Sequence, residues 1–141
     1  MCIIDKKVEK LSIFQQKLAK CFLNHIEKNK ESFKLSHNPI ITTYGDVSRE
    51  LYKHSQGSRC LRIPAGYVST FCLQHDLPPI SAIMCNASGT PGLGFDEMYN
   101  FSDKTKHKIT SKNREVLIKK IQEEVYNNND WSLLEAQITD I

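Results

Sequence analysis

Thr42-Thr43-Tyr44-Gly45-Asp46-Val47-Ser48-Arg49-Glu50-Leu51 is the stretch from which the rest of the chain can be ordered. Ile40-Ile41-Thr42 forms a short extended lead-in of β-branched residues. Thr43 has the hydroxyl of an N-cap, and Asp46, three residues on, completes an acidic capping arrangement. Tyr44, Val47 and Leu51 then recur at helical spacing, and Gly57 after His54 supplies a stop.

Toward the C-terminus, Ser58-Arg59-Cys60-Leu61-Arg62 is a basic connection leading to Pro64, a favourable first-turn residue. Ala65, Val68, Phe71, Cys72 and His75 trace the inner face of a second helix, ended by Pro78-Pro79. The apolar run Ile80–Cys85 predicts a strand, and the Gly-rich segment 86–95 a turn returning an antiparallel partner, that is, a wing. Residues 96–110 read as irregular, anchored by Tyr99 and Phe101. Ser111 is placed to cap a last helix with Leu117, Ile118, Ile121 and Val125 inward, followed by a docked anchor at Trp131, Leu133 and Leu134. On the N-terminal side, Ile4, Val8, Leu11, Phe14, Leu18, Phe22 and Ile26 predict an amphipathic helix over 5–30, and the pattern breaks at Ser36-His37-Asn38-Pro39. The expected class is mainly α with a small β wing (α+β): a winged helix-turn-helix flanked by long N- and C-terminal helices. It is read as a single domain over 1–141, with the winged-helix core at 40–95 and the C-terminal helix and anchor at 111–134.

Helix, tight connection, helix, strand and Gly-rich wing, together with the residues from Thr42 to Leu51, resemble the DNA-binding domain of alkylguanine-DNA alkyltransferases and alkyltransferase-like proteins. The segment is similar to their T-T-Y-G-x-[VIL]-[AS]-x-x-[LI] pattern, and the resemblance covers residues 40–95. It implies that Tyr44 sits against a DNA phosphate beside a flipped nucleotide. It also implies that Arg59 or Arg62 enters the base stack, the spacing leaving the choice open; Tyr67 is a further candidate DNA contact. The family's P-C-H-R motif, whose cysteine accepts the alkyl group, is absent. Residues 77–86 read Leu-Pro-Pro-Ile-Ser-Ala-Ile-Met-Cys-Asn, and Cys85 has no activating neighbour in sequence. Alkyl transfer is therefore not expected.

Composition agrees with a soluble globular chain: 141 residues, 40% hydrophobic, 25% charged. No run approaches the roughly 18 apolar residues of a membrane span, and the N-terminus lacks a signal-peptide pattern, so no membrane partner and a cytoplasmic location are expected. The net charge of +3 is unevenly spread. Residues 1–60 carry eleven positive and six negative side chains, 101–120 carry seven and two, and 121–141 carry none and five. Basic stretches of this kind suit phosphate contacts. The five cysteines include no C-x-x-C pair, and the grouping Cys60, Cys72, His75, Cys85 lacks the two close pairs of a zinc site; no metal and no cofactor are expected.

These features predict a non-catalytic winged-helix protein that binds nucleic acid, DNA rather than RNA. One alternative is a regulatory, defence or immunity factor with a protein partner at its C-terminal segment, where Trp131-Ser132-Leu133-Leu134 reads as exposed beside acidic residues. Another is a small metal-dependent nuclease using Asp96 and Glu97, with His54, His75, His107 and Asp46 as further acid–base groups.

Overall fold

A computed structural model describes residues 7–53, 57, 60–139 and 141. The chain is mainly helical with a small two-stranded sheet. α1 spans Ile13–Ser36, β1 Thr42–Thr43, α2 Tyr44–Tyr52 and α3 Arg62–Gln74. A 3-10 turn at Ile80–Ile83 leads into β2, Met84–Cys85, followed by α4 (Leu93–Phe101), α5 (Arg114–Asn127) and α6 (Ser132–Glu135).

α1 begins later and runs further than its apolar stripe suggests. Ser12 and Gln15 form a reciprocal capping box that fixes its start. Upstream, Val8 and Leu11 are buried in non-helical chain, their N–H groups donating to the side-chain carbonyls of Gln74 and Gln137. The helix ends where His37 adopts φ 59°. α2 starts as its sequence predicts, with the Thr43 hydroxyl accepting the Asp46 N–H at 3.0 Å. Its left-handed cap, however, is Lys53 at φ 68° rather than Gly57. Gly57 is needed for space: a Cβ there would lie 2.2 Å from the Tyr52 ring.

α3 is the central element, buried at Ala65, Gly66 and every position from Val68 to Leu73. α1, α4 and the 3-10 turn pack around it, and α5 closes over the turn. Phe22, Leu18, Leu61, Ile80, Ile83, Ile118, Ile121 and Leu134 fill the shared core. Its buried polar groups are cross-links: the Ser81 N–H donates to Ser69 Oγ at 3.0 Å, and Gln122 Nε2 to the Ala82 carbonyl at 2.9 Å.

The region expected to form a wing differs most. Of Ile80–Cys85 only Met84 and Cys85 are extended, and they pair in parallel with β1, Thr42 opposite Met84 and Thr43 opposite Cys85. No antiparallel return strand occurs among the described residues. The segment 86–92 instead folds on itself: the Asn86 N–H donates to the Thr90 carbonyl, the Gly89 N–H to the Asn86 carbonyl, and Gly89 takes φ +85°. Pro91 has no N–H with which to continue a ladder. Gly92 then caps α4, which runs from the end of the expected wing into the stretch 96–110 expected to be irregular, Phe95, Met98 and Tyr99 carrying a helical period across the polar pair Asp96-Glu97. At the C-terminus, α5 starts after Asn113 rather than at Ser111. Trp131 and Leu134 are buried as the predicted anchor, so Trp131 is not the exposed handle of the protein-partner reading; Leu133 alone of that group is half exposed.

Replacing Gly57 by Ala is expected to lower stability by about 1–3 kcal/mol, the range for overpacking a filled site. Urea denaturation of Gly57→Ala against the parent chain checks this; an unchanged midpoint would show that the Tyr52 ring moves aside freely.

Candidate functional site

The parallel strand pair sets the N-terminus of α2 beside the start of the Gly-rich loop. Between them lies an open pocket of about 550 Å³ lined by Thr43, Tyr44, Gly45, Arg49, Arg62, Cys85, Asn86, Ala87 and Gly92. This is within the usual size range of small-molecule sites. Tyr44, the first residue of α2, is half-buried, and the Gly92 N–H donates to its hydroxyl at 3.5 Å. Arg62, the first residue of α3, reaches the same place. A Cβ added at Gly92 would lie 3.8 Å from the Tyr44 hydroxyl and 4.0 Å from Arg62 Nη2. Tyr44 and Arg62 also border a narrow recess of about 20 Å³ between α3 and α4, room for a single water-sized group.

Of the sequence candidates, then, Tyr44 and Arg62 meet at one pocket. Tyr67 lies on the exposed side of α3 with Ile63 and does not line it. Arg59 lies outside the described residues, as does His54. Arg49 belongs to the pocket although its motif was read only as a helix. Its guanidinium is ion-paired with Asp46 on the preceding turn, both side chains more than half exposed. The i,i+3 spacing of Asp46 and Arg49 was the available signal.

The second wall is set by a residue with no local signature. Arg114 donates from Nε to Asp96 at 2.7 Å and from Nη2 to the other carboxylate oxygen at 3.2 Å. It also donates to the Thr90 hydroxyl at 3.2 Å and the Pro91 carbonyl at 2.6 Å. Both oxygens of Asp96, which the nuclease alternative would use, thereby accept from Arg114. Among the described residues no three His, Cys, Asp or Glu side chains gather as a metal site, and Cys60, exposed, is not joined to the buried Cys72 and Cys85.

Cys85 lines the pocket but is fully buried; its thiol donates to the Ala82 carbonyl at 3.6 Å and accepts from Gln122 Nε2 at 3.4 Å. Burial pushes its pKa up to about 12, against smaller downward contributions from Gln122 and Arg114. It is a protonated thiol at neutral pH, the opposite of an activated nucleophile.

Comparison with protein-family models, with curated proteins and with solved structures finds no match to this chain.

Two outcomes follow from these interactions. Arg114→Ala is expected to cost about 2–3 kcal/mol, the range for a charged hydrogen-bonding group removed from half-buried partners. Arg114→Lys is expected to recover only part of it, because an ammonium lacks the planar fork; denaturant midpoints of both variants check this. Cys72, like Cys85, is raised by burial to about 12. Unfolded thiols ionise near about 8.5, so the folded state retains protons that the unfolded chain releases. Stability is therefore full below about pH 8.5 and declines as pH rises toward 12. Denaturation at about pH 7 and about pH 10 is expected to show the drop, smaller in Cys85→Ala; equal stability at both pH values contradicts the assignment.

Proposed function

We propose that this protein binds DNA without altering it chemically, as a helix-turn-helix module built on α2 and α3 with the Gly-rich loop in the place of a wing. One observation carries the reading: Tyr44 and Arg62, the first residues of two successive helices, and Arg49 from the last turn of α2 line one open pocket together with the Gly-rich loop. Arg62 is exposed at the first turn of α3, and no ion pair engages it among the described residues, leaving its charge for a phosphate or a base edge. α3 has no side-chain N-cap, so its terminal amides and dipole favour an anion at the same end. Ile63 and Tyr67 continue the exposed face of α3 as surface that can lie against a duplex. The pocket beside Tyr44 is large enough for one displaced nucleotide, and Arg62, which lines it, would fill the gap such a nucleotide leaves.

Arg49 adds a conditional charge. Its pair with Asp46 is exposed, and pairs of that kind contribute about 0–1 kcal/mol. A phosphate therefore competes for Arg49 at small cost.

The test is fluorescence anisotropy with matched, mismatched and single-stranded DNA and with RNA at two salt concentrations. Binding to DNA is expected to weaken as salt rises. Arg62→Ala is expected to lower affinity about tenfold and to flatten the dependence of log K on log salt by about 0.9, one phosphate contact. Lys7→Ala, remote from the pocket lining, is expected to leave both unchanged. No binding to any of these nucleic acids at low salt, or binding indifferent to Arg62, overturns the reading.

A further inference from the structure

Six lysines of residues 101–120 belong neither to the core nor to the pocket lining: Lys104, Lys106, Lys108, Lys112, Lys119 and Lys120. All are exposed, and the same stretch holds only two carboxylates, Asp103 and Glu115. Its seventh cation, Arg114, is given to Asp96. Lys104 reaches the exposed carboxylate of Asp76 at 3.6 Å. The Lys108 ammonium donates to the Ser102 carbonyl at 2.8 Å and the Thr105 hydroxyl at 3.0 Å, neutral acceptors that leave its charge uncancelled. Lys106, Lys112, Lys119 and Lys120 have no ion-pair partner among the described residues.

Helix stability does not account for this placement. A helix macrodipole favours acids at the N-terminus and bases at the C-terminus. Apart from Glu115, α5 has the reverse: Lys112 stands just before its first turn, Glu123 and Glu124 lie toward its end, and its last turn holds no base. Charges set against the dipole are kept at a cost to the helix, which an anion bound at the N-terminal end offsets.

The basic turn is also tied to the pocket. Asn113 fastens it to α5, Nδ2 donating to the Lys108 carbonyl at 2.9 Å and Oδ1 accepting the Thr110 N–H at 2.7 Å. The next residue, Arg114, holds Thr90 and Pro91 of the Gly-rich loop, and Gly92 of that loop lines the pocket. Lys112 is two residues from Arg114, at most about 7 Å of chain. One arginine side chain and those two residues therefore separate the lysines from the loop, a distance covered by a few nucleotides at about 3.4 Å of rise each.

We propose that a nucleic acid seated at Arg62 continues across the Gly-rich loop onto Lys106, Lys108 and Lys112, which contact its phosphates. This rests on the DNA reading of the pocket and adds to it the direction in which the ligand leaves. The partner is then a polymer, because a single nucleotide in the pocket does not reach the lysines.

The full chain is assayed by fluorescence anisotropy with a labelled duplex of about 18 base pairs, at about 50 mM and about 200 mM salt. Lys106→Ala combined with Lys112→Ala is expected to weaken binding about tenfold and to flatten the dependence of log K on log salt by about 1.8, two contacts at about 0.9 each. Lys28→Ala combined with Lys34→Ala removes the same charge from the part of α1 beside the other end of α5, where Phe33 stacks on Tyr126. It is expected to leave both values unchanged. Equal losses in the two double variants show attraction to net charge alone and overturn the proposal. Binding that depends on Arg62 but is indifferent to Lys106 and Lys112 also overturns it, while leaving the reading of the pocket in place. So does binding to phosphatidylserine vesicles that is lost in the Lys106/Lys112 variant while its DNA affinity is unchanged. Absence of nucleic-acid binding at low salt overturns the pocket reading and this extension together.

Discussion

One guanidinium holds the Gly-rich loop against the rest of the molecule. The loop has no strand partner after Cys85, and its internal bonds, between Asn86, Gly89 and Thr90, fix only its own shape. Its position is fixed by Arg114, which ties the Thr90 hydroxyl and the Pro91 carbonyl to the Asp96 carboxylate and so to α4 and α5 at once. At 24% and 14% side-chain exposure the ion pair is withdrawn from water, where its attraction is screened less than that of a surface pair. Arginine is required by geometry, since the acceptors surround a plane. The pocket, the Tyr44–Gly92 contact and the start of α4 all inherit this placement.

The opposite wall is set by the smallest element of the fold. β1 and β2 contribute two residues each, too few to be stable alone. Their value is positional. α2 starts one residue beyond Thr43, and the loop starts one residue beyond Cys85. Since Thr43 faces Cys85, continuing the register brings Tyr44 to Asn86. The buried helix α3 and the 3-10 turn, joined through Ser69 and Ser81, hold β2 at that height. Packing of the core thus sets which helix end meets which loop, and the side chains at the pocket follow.

What could be read from the sequence was local. The α2 cap at Thr43, the interior faces of α3 and α5, and the burial of Leu134 follow from spacing and composition; Tyr44 and Arg62, singled out through a family-like motif and a charge beside a helix start, line one pocket. What could not be read depends on partners far along the chain. Ile80–Ile83 has the residues of a strand, but its apolar side chains are buried between α3 and α5, where a 3-10 turn fits and a ladder has no partner. α4 was hidden because Asp96-Glu97 looks like loop until Arg114, 18 residues on, takes up Asp96. Gly57 reads as a stop signal and acts as a gap for a ring. In each case sequence statistics named a residue correctly and assigned it the commoner of two physical uses.

The pocket's chemistry is decided by which groups are already committed. Cys85 retains its proton because it is buried, and Asp96, behind the Gly-rich loop, has both oxygens on Arg114. Both groups are thus engaged within the fold. Among the described residues no ion pair engages Arg62, and Arg49 has only the weak one to Asp46. Groups that would transform a ligand are thus used within the fold, and groups that would hold an anionic, planar one face the open space. Under the proposed DNA reading, selectivity between nucleic acids would lie in the shape of the pocket beside Tyr44, because arginines respond to phosphate whatever base it carries.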